Sequence, residues 1–119
     1  MILIVDDDPA VLEMAREILN RKRQVFFASN AQQVFKLAQD IGFSVVLVDL
    51  DLGGEDGLGL ILEISNRFPG LPVIAISASP REAVLELARE FGAVEFLQKP
   101  VTPEWKSVVE RVRALRARA

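Results

Sequence analysis

Five times along this chain a short apolar run gives way to a stretch with helical spacing. The runs are Met1 to Val5, Gln24 to Ala28, Ser44 to Val48, Pro72 to Ile76 and Val94 to Gln98. Short apolar runs bounded by turn residues read as buried strands, and burial on both faces suits a parallel sheet. After each run come apolar residues three and four apart. They are Val11, Leu12, Ala15, Ile18 and Leu19, then Val34, Phe35, Ala38 and Ile41, then Leu58, Ile61, Leu62 and Ile64. Val84, Leu87, Ala88 and Phe91 follow, and lastly Trp105, Val108, Val109, Val112 and Leu115. Each set would form one buried stripe of a helix. Five strand–helix units in alternation predict an α/β fold, a doubly wound three-layer α/β/α sandwich. Right-handed crossovers narrow the topology without ordering the strands.

Boundary signals agree with this alternation. Asp8 can cap a first helix opened by Pro9, and Lys22 and Arg23 suit its end. Asn30 with Gln33 resembles a capping box. Gly42 and Gly92 are expected to stop their helices. Leu50 to Gly59 reads as a loop, Ser79 and Pro80 as the opening of the fourth helix, and Pro103 as that of the fifth. No repeat or low-complexity segment interrupts the pattern.

Composition removes several classes of chemistry. The 119 residues suit one domain, spanning 1–119, and Met1 already belongs to the first strand. The chain has no cysteine, which excludes disulfides and thiolate nucleophiles, and no histidine, the commonest general base and transition-metal ligand. A metal here would be a hard, oxygen-liking ion. A net charge of −3 argues against direct nucleic-acid binding. No stretch is long and apolar enough for a membrane helix, no secretory leader is visible, and cytoplasmic localisation is the default.

The strand ends carry the functional signal. The first run leads into Asp6 and Asp7, the third into Asp49, the fourth into Ser77 and the fifth into Lys99. In an open parallel sheet these carboxyl ends share one edge, where ligands bind. Taken singly, each residue has a plain reading. Asp6 to Pro9 suits a helix start, Asp49 with Asp51 a turn, Ser77 a loop hydroxyl and Lys99 a solvated charge. Taken together, three carboxylates, a hydroxyl and an ammonium at one edge suit phosphoryl chemistry. Such transfer needs an aligned nucleophile and neutralised oxygens more than covalent work. Asp49 would be the nucleophile, Asp6, Asp7 and Asp49 ligands for magnesium or manganese, and Lys99 and Ser77 donors to phosphoryl oxygens.

Two other features carry less. Gly53, Gly54, Gly57 and Gly59 form no dinucleotide or P-loop fingerprint, and are expected to permit unusual backbone angles beside Asp49. Lys106, Arg111, Arg113, Arg116 and Arg118, set against Glu110, give the last helix a basic outer face that reads as solvated surface.

The segments ILIVDDDP, VVLVDLDLGGEDGLGLI, PVIAISAS and FLQKP, in this order and spanning nearly the whole chain, resemble the receiver domain of two-component response regulators. The resemblance implies a flavodoxin-like five-stranded sheet of order 2-1-3-4-5. It implies Asp49 as phosphoacceptor and Asp6, Asp7, Asp49 and the backbone carbonyl of Asp51 as ligands for Mg2+ (or Mn2+). Ser77 and Lys99 would assist, Ser77 and Phe96 would form the switch, and Lys99–Pro100 would be cis.

A histidine kinase or histidine phosphotransfer protein would be the donor. A downstream protein or attached output domain would engage the face of the fourth helix, fifth strand and fifth helix. That face also admits a phosphorylation-dependent homodimer. On this reading the chain assists only its own phosphorylation and dephosphorylation, is not otherwise an enzyme, and carries no output domain. Three departures stand out. Gly53 replaces a common proline, Phe96 lacks the tyrosine hydroxyl, and Asp51 and Ser79 occupy positions that tune phosphoryl lifetime. The alternatives are a pseudo-receiver that is never phosphorylated and an aspartyl-phosphate phosphatase. Asp49-Leu50-Asp51 superficially suits the latter, but its acid order and the absence of a cap domain do not.

Overall fold

A computed structural model of the chain describes residues 1–19, 24–52 and 56–118, with side chains to residue 115. The elements alternate throughout: β1 (Ile2–Val5), α1 (Pro9–Leu19), β2 (Val25–Ala28), α2 (Ala31–Asp40), β3 (Val45–Asp49), α3 (Gly57–Arg67), β4 (Val73–Ser77), α4 (Glu82–Phe91), β5 (Ala93–Gln98) and α5 (Glu104–Arg118). All strand pairs are parallel, in the order β2-β1-β3-β4-β5. The doubly wound fold and strand order are those expected.

The sheet separates two apolar layers. Ile2, Ile4, Val45, Leu47, Ile74 and Ile76 face α1 and α5, while Leu3, Val5, Val46, Val48, Val73 and Ala75 face α2, α3 and α4. Successive strand residues point to opposite sides, so a run that is apolar at every position is what a sheet covered on both faces requires. β1 and the first four residues of β3 contain no polar side chain and are wholly buried.

Several local expectations need correction. Leu62, Leu87 and Leu115 are not in the core; they are 40, 42 and 59 % exposed, and Leu60 fills the α3 layer. Each sits at the margin of its apolar stripe, where three- and four-residue spacing alone cannot tell core from rim. Gly42 does not stop α2, which ends at Asp40, with Ile41 in an extended conformation. Gly92 does stop α4, at φ 129°, the left-handed region that favours glycine. Ser79 and Pro80 precede α4 rather than open it. Its cap position is Arg81, without a side-chain bond, because a guanidinium has no acceptor for a helix amide; the Ser79 amide donates to Ser77 Oγ at 3.2 Å.

The caps of α1 and α2 are present. Asp8 Oδ1 accepts from the Ala10 amide, and Asn30 Oδ1 from that of Gln33, both at 2.9 Å. The return arm of the second differs from a true box, since Gln33 Oε1 accepts from Ser29 N at 2.7 Å. We expect Asn30→Ala to lower stability by about 1 kcal/mol, measured by urea denaturation. Lys22, Arg23, Gly53 and Gly54 lie outside the described residues, as do the side chains of Arg116 and Arg118.

Candidate active site

Strand register builds the site. β1 and β3 pair from Ile2 with Val45 to Val5 with Val48, so Asp6 and Asp49 leave the sheet side by side. This is the point where the chain winds toward opposite faces, α1 on one and α3 on the other, which opens a crevice at the strand ends. Asp6 and Asp49 are the buried charged residues here, 0 and 1 % exposed. Ionised carboxylates tolerate such burial only with charge partners and hydrogen bonds. Asp6 Oδ1 accepts from the Asp8 amide at 2.9 Å, and Asp49 Oδ1 from the Asp51 amide at 3.0 Å.

Lys99 holds the remaining oxygens. It follows β5, and its backbone amide extends the ladder by donating to the Ser77 carbonyl at 2.9 Å. From there its Nζ crosses to Asp6 Oδ2 at 2.9 Å and Asp49 Oδ2 at 3.1 Å. The Asp49 contact is a hydrogen bond. The Asp6 contact is an ion pair lacking hydrogen-bond alignment, which leaves Asp6 Oδ2 buried without a hydrogen bond.

Burial pushes the Asp49 carboxyl above the usual carboxylate range. The Asp51 amide and Lys99 oppose that push, and the Asp6 charge adds to it. For Lys99, burial works against the charged form, but its contacts with Asp6 and Asp49 outweigh it and hold the ammonium above the ordinary lysine range.

Exposed Asp7 completes an acidic trio. One carboxylate oxygen from each of Asp6, Asp7 and Asp49 lies within 4.8 Å of the other two. The trio is all oxygen, and one of its buried oxygens is unbonded. That donor set fits a small hard divalent cation, whose ligands are carboxylates, carbonyls and water.

The other expected residues are arranged less tightly. Ser77 ends β4 at the same edge, with its hydroxyl oxygen taken by the Ser79 amide. Asp51 is exposed and contributes its amide to Asp49. Phe96 is half-buried against the α2–α3–α4 layer, with the Arg89 guanidinium 5.3 Å from its ring centre. Lys99–Pro100 is cis.

Sequence reasoning missed the role of Gly57. A Cβ there would lie 2.5 Å from the Asp49 carbonyl oxygen and 2.7 Å from Leu50 Cα. Among the described glycines only Gly92 has positive φ. Gly57 therefore serves close approach of α3 to the Asp49 backbone, not the unusual angles expected. The signal was available: Asp56 caps α3, accepting from Leu58 N at 3.0 Å, and glycine is an unusual first residue of a helix.

The family model described as response regulator receiver domain matches residues 2–112. The response regulator GtcR of Aneurinibacillus migulanus is 30 % identical over 99 % of this chain and 48 % of its own length. The chain spans about half the length of the curated relatives it matches. The receiver domain of NtrX from Brucella abortus superimposes with a TM-score of 0.86 at 30 % identity, covering 96 % of this chain and 98 % of that one. A CheY-like receiver protein from Methanospirillum hungatei gives 0.84 at 25 % identity, with 99 and 97 % coverage.

Proposed function

The chain belongs to the response regulator receiver domain family, and from that membership we propose that Asp49 accepts a phosphoryl group and thereby switches what the α4–β5–α5 face binds. One observation carries the reading. A single ammonium, Lys99 Nζ, bridges two buried carboxylates at the strand edge, with a third carboxylate beside them.

An Asp49 side-chain oxygen bonds to phosphorus as the donor's phosphorus–nitrogen bond breaks, with that electron pair leaving on the donor nitrogen. Lys99 orients the nucleophile and offsets charge on a phosphoryl oxygen, and the Ser77 hydroxyl, whose hydrogen the Ser79 contact does not use, donates to another. Asp6, Asp7, Asp49 and the Asp51 carbonyl would hold Mg2+ (or Mn2+), which when bound supplies positive charge to the phosphoryl oxygens. Phe96 then turns inward, leaving Arg89, and the surface of α4 and α5 changes.

The donor is a histidine kinase or histidine phosphotransfer protein, and the recipient a downstream protein, an attached output domain or a second copy. This domain itself contacts neither nucleic acid nor membrane, works in the cytoplasm and turns over no external metabolite. No helix among the described residues is long and apolar enough to cross a membrane.

Incubation with phosphoramidate and Mg2+ should add one phosphoryl group, located at Asp49 by mass spectrometry. Asp49→Asn should stay unlabelled, and a labelled variant would overturn the acceptor assignment. Steady phosphate release from phosphomonoesters would favour a phosphatase instead.

Asp49→Asn should also be more stable than the parent at neutral pH. The Asp49 pKa is raised on folding, so its contribution is favourable below the unfolded pKa and is lost as pH rises through the folded one. An amide carries no such charge. The advantage should therefore shrink as pH falls through the carboxylate range, read as melting temperature against pH.

A further inference from the structure

β5 is an outer strand of the sheet and, among the described residues, pairs with β4 alone. Its inward groups continue the ladder, while alternate residues turn their backbone groups outward, away from β4. Outward groups of an edge strand need water or a side chain. Here side chains meet them at two places, one from β5 itself braced by α5 and one from α5. The Phe96 amide donates to Glu95 Oε1 at 3.1 Å, and Glu95 Oε2 is held by Arg111 at 2.6 Å. The Gln98 carbonyl accepts from the indole Nε1–H of Trp105 at 3.3 Å.

The second contact matters because of what lies across the same peptide unit. The Gln98 carbonyl and the Lys99 amide are two ends of one planar group. The carbonyl is held from outside by Trp105, the amide from inside by the Ser77 carbonyl at 2.9 Å. Lys99 thus leaves β5 from a peptide fixed at both ends, and its Nζ arrives within 2.9 and 3.1 Å of two carboxylates. Trp105 is itself tightly packed. It is 1 % exposed, lies in the α1–α5 layer, and its own amide donates to the Thr102 carbonyl at 3.0 Å. A Phe or Leu would fill apolar space there, but neither could donate. An indole both packs and donates a hydrogen bond.

We propose that Trp105 is a positioning residue for phosphoryl transfer: its indole N–H, by holding the Gln98 carbonyl, sets the backbone from which Lys99 reaches Asp6 and Asp49. This rests on the phosphoacceptor reading of Asp49. Trp105 touches neither carboxylate; it acts through Lys99 alone.

The test is a double-mutant cycle on the full chain, reading the initial rate of Asp49 labelling by phosphoramidate with Mg2+. Trp105→Phe keeps an aromatic ring and removes the donor. Replacing Trp105 by benzothienylalanine, in which sulfur takes the place of the N–H, keeps the indole shape and guards against loss of packing. Losing one hydrogen bond of ordinary strength should slow labelling roughly three- to tenfold in both proteins. In a Lys99→Ala background the same substitutions should change the rate by less than about twofold, because the residue they act through is gone. A role confined to packing would slow both backgrounds alike, and would spare the benzothienyl protein.

Equal slowing with and without Lys99, or unchanged labelling of the benzothienyl protein, overturns the assignment while leaving Asp49 as acceptor. Failure of the parent chain to label at all overturns both. Melting temperatures of each protein separate a slowed site from an unfolded one.

Discussion

Lys99→Ala is expected to lower stability at pH 7 by about 2 kcal/mol, and Mg2+ is expected to restore much of it. Removing one partner of a buried ion pair typically costs about 3–5 kcal/mol, because the survivor is left uncompensated. Two carboxylates would be left here, Asp6 and Asp49, both almost wholly buried and facing each other. The Lys99 side chain is 18 % exposed, so water reaches part of the pair and the cost falls below that range, to about 2 kcal/mol.

The pH dependence has a definite sign. The Lys99 pKa is raised on folding, so its stabilisation is complete below the unfolded lysine value and fades as pH rises through the folded one. The gap between parent and variant should thus be full at pH 7 and close in strong alkali. A divalent cation among Asp6, Asp7 and Asp49 would supply the missing positive charge. Melting temperature should therefore rise more with Mg2+ in Lys99→Ala than in the parent. An Mg2+ response of the same size in both would show that the ion does not share the charge held by this lysine.

Gly57→Ala is expected to destabilise the fold by about 1–3 kcal/mol and to slow labelling of Asp49, against the usual trend. In an open helix this exchange favours alanine by up to about 1 kcal/mol. Here the added methyl would meet backbone, the Asp49 carbonyl oxygen and Leu50 Cα, neither of which can swing aside as a side-chain end could. Relief requires α3 or the end of β3 to move, and β3 carries the proposed nucleophile. Transfer chemistry tolerates misplacement of reacting groups poorly. Urea denaturation measures the first effect and phosphoramidate labelling the second. A variant as stable as the parent would show that α3 can shift freely on the β3 loop.

The legible parts of the site share one property. Asp6, Asp49 and Lys99 each end an apolar run, and a parallel sheet brings such ends to one edge whatever the strand order. Their types then suggest the chemistry. Ser77 was placed at that edge by the same rule, yet its hydroxyl is engaged with Ser79, a contact that no spacing reveals. The spacing of Leu62, Leu87 and Leu115 predicts core because periodicity marks a face, whereas burial depends on how far the neighbouring layer extends over it.

What this chain determined by itself was the alternation of strands and helices, the parallel sheet, and which residues stand at its carboxyl edge. Those follow from local spacing and from the direction of each strand. Spacing left the strand order open, and only the family resemblance implied that β1 lies beside β3; tertiary structure alone decided that two carboxylates share one lysine there. It also decided that α3 presses on the Asp49 backbone at Gly57, and that Trp105 reaches the peptide before Lys99. The first joins residues distant in the chain, and the other two join neighbouring elements across a turn, all at separations of a few ångströms. Only the packed layers set such distances, because every side chain between them must first find its volume.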